Sequence, residues 1–149
     1  MTMTSKPEYV YVTYIQSTPE KVWNALFDKE LSKLYWGMGK NVSDWKTGSK
    51  WEHRDYETEE VKVSGEVLEI DAPKRLVLTW NKPNLNEPGA KLTVLVENTF
   101  GAVKLTVIHE QLSQKMYEGV SQGWPAILSS LKTLLESGQP MPMTTRRWG

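Results

Sequence analysis

The chain has no cysteine, which removes disulfides, thiolate metal sites, thiol nucleophiles and thiol redox switching together. Neither sign of charge is in excess. Eighteen Lys and Arg stand against eighteen Asp and Glu, so no global field draws in nucleic acid or an anionic membrane surface. Long apolar runs are missing too: nothing approaches the roughly 20 consecutive apolar residues of a membrane span, and Met1-Thr2-Met3-Thr4-Ser5-Lys6 has no apolar signal core. A cytoplasmic protein, neither exported nor membrane-spanning, is the expectation. The sequence also lacks a Gly-x-Ser-x-Gly elbow, a phosphate loop and a dinucleotide glycine fingerprint, which leaves nucleophilic hydrolysis and nucleotide chemistry without their usual parts. Gly37 and Gly39 follow a helical pattern with no strand before them, a context that does not fit a cofactor loop. Phenylalanine is scarce, two residues against seven Trp and six Tyr. Large rings with a polar handle suit a wall that is partly wet and partly apolar.

What is present is a clear change of period along the chain. From Glu8 to Ile15, strand-forming residues alternate, with Tyr9, Tyr11, Thr13 and Ile15 opposite Val10, Val12 and Tyr14. Ser17-Thr18-Pro19-Glu20 supplies a capping hydroxyl, a first-turn proline and an acid facing the helix dipole. The apolar stripe of Val22, Trp23, Leu26 and Phe27 resumes at Leu31, Leu34 and Tyr35 after Asp28-Lys29-Glu30, which predicts two short helices. Between Asn41 and Gln111 the period is two, with turns at Lys46-Thr47-Gly48-Ser49, Asp71-Ala72-Pro73-Lys74, Asn86-Glu87-Pro88-Gly89 and Phe100-Gly101-Ala102. About six strands fit there, and the short connections make their sheet antiparallel. A helical stripe of Val120, Trp124, Ile127, Leu128, Leu131, Leu134 and Leu135 then runs to Gly138 and Pro140. At about 1.5 Å per residue, Gly119 to Ser137 spans about 28 Å, enough to cover a small sheet. Pro125 lacks an N–H, so the regular helix is expected to begin near Trp124. The fold class is α+β: a curved antiparallel sheet of six to seven strands wrapped on a long C-terminal helix, with two short helices after the first strand. The expected domain boundaries are residues 8–138, with a flexible N-terminus expected at 1–7 and a tail at 139–149 in which Arg146-Arg147-Trp148 is expected to be mobile.

The order strand, two short helices, six strands, long helix resembles the START-like, birch-pollen-allergen-like helix-grip superfamily (SRPBCC). Within it, four stretches are similar to the bacterial proteins related to the C-terminal domain of the activator of heat-shock protein 90 ATPase. These are Ser17 to Leu26, Ser43-Asp44-Trp45-Lys46-Thr47-Gly48-Ser49-Lys50-Trp51, the run from Gly65 to Trp80, and Gly123-Trp124 leading through Leu128 to Gly138. The resemblance implies a helix-grip fold with a cavity between sheet and helix that binds apolar molecules in the superfamily and serves a few branches as a cyclase or hydrolase site. The eukaryotic activators carry a further N-terminal domain that makes the main grip on the chaperone. The chain is not expected to carry that domain, so chaperone activation is not expected to carry over with the resemblance.

Trp51, His53 and Asp55 share one strand face, and His109 continues the face of Leu105 and Val107. Two imidazoles on separate strands, with no third ligand at a recognisable spacing, do not make a metal site. Acids Glu52, Asp55, Glu57, Glu59 and Glu60 read as a solvated face without a role. The stronger signal is the ring set Trp36, Trp51, Trp80 and Trp124, drawn from the short-helix end, two strands and the covering helix. With His53, Val94, Val107, His109 and Leu128 they form the candidate ligand-binding set. The leading expectation is a non-enzymatic binder of an apolar or aromatic small molecule, needing no metal or cofactor. A cyclase or dehydratase using His53 or His109 as acid or base is one alternative, and an interaction module working with a chaperone, as monomer or homodimer, is another.

Overall fold

In the computed structural model, which describes residues 7–83 and 89–148, local signals and tertiary packing agree along most of the chain. The alternating Tyr9–Ile15 forms β1. One of its faces runs inward to the fully buried Ile15, while Val10, Val12 and Tyr14 stay exposed on the other. Thr18 caps α1 (Pro19–Phe27), its hydroxyl oxygen accepting from the Lys21 N–H at 3.2 Å. Asp28 both ends α1 and caps α2 (Lys29–Tyr35), its carboxylate accepting from the N–H groups of Glu30 and Leu31. The polar break therefore works as a hinge between two helices. Buried Tyr35 ties them together by donating its hydroxyl to the Ala25 carbonyl at 2.7 Å.

Six further strands follow, β2 (Gly39–Ser43), β3 (Lys50–Asp55), β4 (Val61–Asp71), β5 (Arg75–Trp80), β6 (Ala90–Thr99) and β7 (Ala102–Glu110). All pairings are antiparallel, in the order β1-β7-β6-β5-β4-β3-β2. β1 and β2 are thus the two edges, and α1 with α2 carries the chain from one to the other. The expected turn at Asn86-Glu87-Pro88-Gly89 falls mostly outside the described residues, as does most of the N-terminal segment 1–7.

The inner face of the sheet presents Trp51, Leu76, Leu78, Trp80, Leu92, Val94, Val96, Leu105 and Val107, all buried, to α3. That helix covers the sheet through Trp124, Ile127, Leu128, Leu131 and Leu134. It does not begin near Trp124. α3 runs unbroken from Gln114 to Ser137 with Pro125 inside, capped by Ser113, whose hydroxyl accepts from the Met116 N–H at 3.1 Å. Proline removes one rung, but Met116 and Trp124 on one side of it and Ile127, Leu128 and Leu131 on the other are buried. Packing of an apolar face outweighs the local penalty. Gly138, at φ +85°, ends the helix with its N–H on the Leu134 carbonyl.

The segment read as a mobile tail is docked. Thr144, fully buried, donates its hydroxyl to the Leu34 carbonyl at 3.0 Å, and its own carbonyl accepts from the Gly37 N–H at 2.8 Å. Met141 N–H reaches the Ser130 hydroxyl at 2.9 Å. These bonds lead Arg147 and Trp148 back to the sheet. No helix among the described residues is long and apolar enough to cross a membrane.

Candidate functional site

Among the described residues two cavities lie between sheet and helices, and they differ sharply in size. Deep under α3, Trp51, Leu78, Leu92, Val94, Val107, Trp124 and Leu128 surround only about 30 Å³, room for one or two waters at most. Tryptophan rings fill this interior: Trp51 and Trp80 lie 5.7 Å apart between centroids, Trp80 and Trp124 5.8 Å, and Trp36 and Trp124 5.4 Å. Beside it, toward the first half of α3, a cavity of about 510 Å³ is walled by Trp36, His53, Trp80, Trp124, Val63, Met116, Val120 and Ile127. The sequence-derived set is therefore divided. Trp36, His53, Trp80 and Trp124 border the large cavity, whereas Trp51, Val94, Val107 and Leu128 belong to the filled interior. His109 borders neither and lies fully buried behind Trp80 and Trp124.

The large cavity owes its room to glycine. Gly119 and Gly123 stand one turn apart on α3, and a Cβ added to either would meet no atom within 4 Å. A larger residue at either position would project its side chain into that space. At Gly39 the reverse holds, since a Cβ there would come within 2.3 Å of His53 Nε2. The bare backbone at the start of β2 lets the imidazole lie flat against it.

Both histidines are buried and neutral, each with a fixed tautomer. His53 Nδ1 lies 2.8 Å from Asn41 Oδ1, and Asn41 commits its Nδ2 to the Leu26 carbonyl at 2.9 Å. Asn41 Oδ1 must therefore accept and His53 Nδ1 donate, which leaves the Nε2 lone pair toward Gly39 and the cavity. Burial, reinforced by the Lys82 and Lys62 charges, pushes the His53 pKa down to about 4. For His109, the Trp124 indole N–H donates to Nδ1 at 3.1 Å, so the proton sits on Nε2. Burial alone lowers its pKa to about 4. His109 Nε2 and Trp80 Nε1 are buried without a hydrogen-bond partner among the described residues.

Asp55 overturns the reading of its acidic run as a solvated face. It is 3% exposed, accepts from the N–H groups of Glu57 and Thr58, and forms an ion pair with Nε and Nη2 of Arg147, whose Nη2 also donates to Glu57 at 2.8 Å. The Arg147 guanidinium holds the Asp55 carboxyl well below the usual carboxylate range. Arg147 in turn brings Trp148 to the cavity wall, over Gly37. The β3–β4 ladder skips a residue opposite His53 and Arg54, pairing them with Val63 and Val61, so Lys62 is the extra residue of a bulge and lies on the cavity wall. Lys62, Lys82, Lys115, Gly119, Gly123 and Trp148 escaped the reading from sequence. Only the two glycines left a signal there, as helix-breaking residues inside an apolar helical period. Among the described residues no group of three or more metal-ligating side chains gathers.

The fold recurs in solved structures. Protein MLL2253 from Mesorhizobium loti superposes with a TM-score of 0.75 at 24% identity, covering 87% of this chain and 97% of its own. PFC0360w, an HSP90 activator from Plasmodium falciparum, gives 0.69 at 21% identity over 87% of this chain and 96% of that one. The Aha1 dimer from Colwellia psychrerythraea gives 0.69 at 19%, over 89% and 98%. At these identities the likeness is one of fold. No curated protein matches the sequence. The family model described as Activator of Hsp90 ATPase homolog 1-like protein matches residues 16–136. That match takes in every element from α1 to all but the last residue of α3, and the chain belongs to this family.

Proposed function

We propose that the protein binds an apolar, ring-bearing small molecule in the cavity beside α3. The observation that carries this reading is a space of about 510 Å³ walled by Trp36, Trp80 and Trp124, within the roughly 300–1,000 Å³ of small-molecule sites and with the same mostly apolar lining. The filled interior next to it makes the walls rigid, so a ligand meets a preformed surface. Titration with a panel of two-ring aromatic compounds, read by tryptophan fluorescence and thermal shift, tests it. Saturable binding that is lost in a folded Gly123→Leu variant is expected. A panel without a single binder, with the protein folded, overturns the reading.

An acid–base enzyme is the second reading, favoured by His53 Nε2 bordering the cavity two residues from Asp55. The electrostatics argue for an acceptor rather than a base. An imidazole with a pKa of about 4 takes up a proton poorly at pH 7, and Asp55 is already engaged by Arg147. Binding alone is the better fit.

A further inference from the structure

We infer that the ligand is a carboxylate, an aromatic ring system bearing one negative charge, with its acid group held by lysines at the cavity mouth. This rests on the cavity being a ligand site. The chain as a whole is neutral, with 18 basic and 18 acidic side chains, yet the charge on the cavity wall is segregated. Arg54, Lys62, Lys82 and Lys115 border it against Asp55 alone. Asp55 is neutralised by Arg147, so its field does not oppose an incoming anion. Arg54 is taken by Glu52 and Glu59, and Lys62 by Glu60 at 2.7 Å. Lys82 and Lys115 make no ion pair among the described residues, and both are exposed.

The three lysines come from well-separated parts of the chain. Lys62 is the bulge residue of β4, Lys82 follows the end of β5, and Lys115 sits in the first turn of α3. That turn contains no acid, so the positive end of a long helix dipole adds to the lysine charge. The Lys82 and Lys62 charges already act on this interior, since both oppose protonation of His53.

His53 Nε2, left as an acceptor by the bond from Nδ1 to Asn41, lies on the same cavity wall and suits a ligand hydroxyl. The arrangement also avoids the cost of burying an ion pair: the rings enter between tryptophans while the carboxylate stays with exposed lysines in water.

A matched pair of probes tests the inference, 2-naphthoate and its neutral amide, 2-naphthamide. Their affinities are measured by calorimetry for the wild type and for Lys82→Gln/Lys115→Gln, whose exposed positions leave the fold intact by circular dichroism. The naphthoate is expected to bind about tenfold more tightly than the amide, and the preference to shrink to about threefold or less in the double variant. Equal binding of the two probes by the wild type, or a preference that survives the double substitution, overturns the carboxylate inference and leaves the cavity reading in place. If neither probe binds, the carboxylate inference falls, while the cavity reading is decided separately by the wider panel.

Discussion

Replacing Gly119 and Gly123 by alanine gives the sharpest test of the cavity, because the two consequences are opposite in sign. Both glycines lie inside α3, a 24-residue helix, where glycine costs roughly 0.5–1 kcal/mol relative to alanine through the backbone entropy it loses on folding. A methyl group at either position meets nothing within 4 Å, so no overpacking offsets that gain. Gly119→Ala/Gly123→Ala should therefore be more stable by about 1–2 kcal/mol, which for a domain of this size raises Tm by roughly 2–8 °C. Urea unfolding followed by circular dichroism gives the free energy directly, with an unchanged m-value as the control for two-state behaviour. The same methyls narrow the cavity, so affinity for a two-ring ligand should fall while stability rises. A double variant that is destabilised refutes the reasoning, since it means that atoms occupy the space on that side of α3. One that is stabilised but binds as tightly as the wild type places the ligand elsewhere.

Acid should destabilise the protein through its histidines. Their folded pKa values of about 4 lie below the ordinary 6.5, so the unfolded chain binds more protons between those limits and stability falls as pH drops. From pH 7 to pH 5 the loss is roughly 2 kcal/mol per imidazole, measured as the shift in urea midpoint. His53→Gln should remove about half of that slope. Asp55 titrates lower: its depressed pKa contributes stability above the unfolded value of about 3.9 and loses it as pH falls below. Arg147→Ala is expected to lower Tm at pH 7 and to flatten the remaining acid loss below pH 4. Gly39→Ala puts a Cβ within 2.3 Å of His53 Nε2. It should destabilise by about 1–3 kcal/mol and shift the His53 ring resonances as the bond to Asn41 is broken, whereas an unperturbed ring spectrum contradicts the placement of the imidazole.

The sequence by itself determined those parts of the protein whose causes are local or periodic. The Thr18 cap, the Asp28 break, the alternation along Leu76-Val77-Leu78 and Val103 to His109, and the glycine stop at Gly138 each fix structure within a few residues, so they are legible without a partner. Composition likewise excluded thiol chemistry, and four stretches of sequence carried the family. Tertiary structure decided the rest. Whether Pro125 ends a helix depends on what Met116 and Trp124 bury themselves against, which no window around the proline contains. Lys62 reaches the cavity because a bulge opposite His53 and Arg54 breaks the two-residue period on which the sequence reading relied. Asp55 is buried because Arg147, 92 residues away, returns to pair with it, and the charge run around it gave no hint of that contact. The tryptophans were visible from the start. Which of them fill the core and which line an open space is settled by the two side chains that α3 lacks at Gly119 and Gly123, because a cavity is defined by atoms that are absent from one element and supplied by all the others.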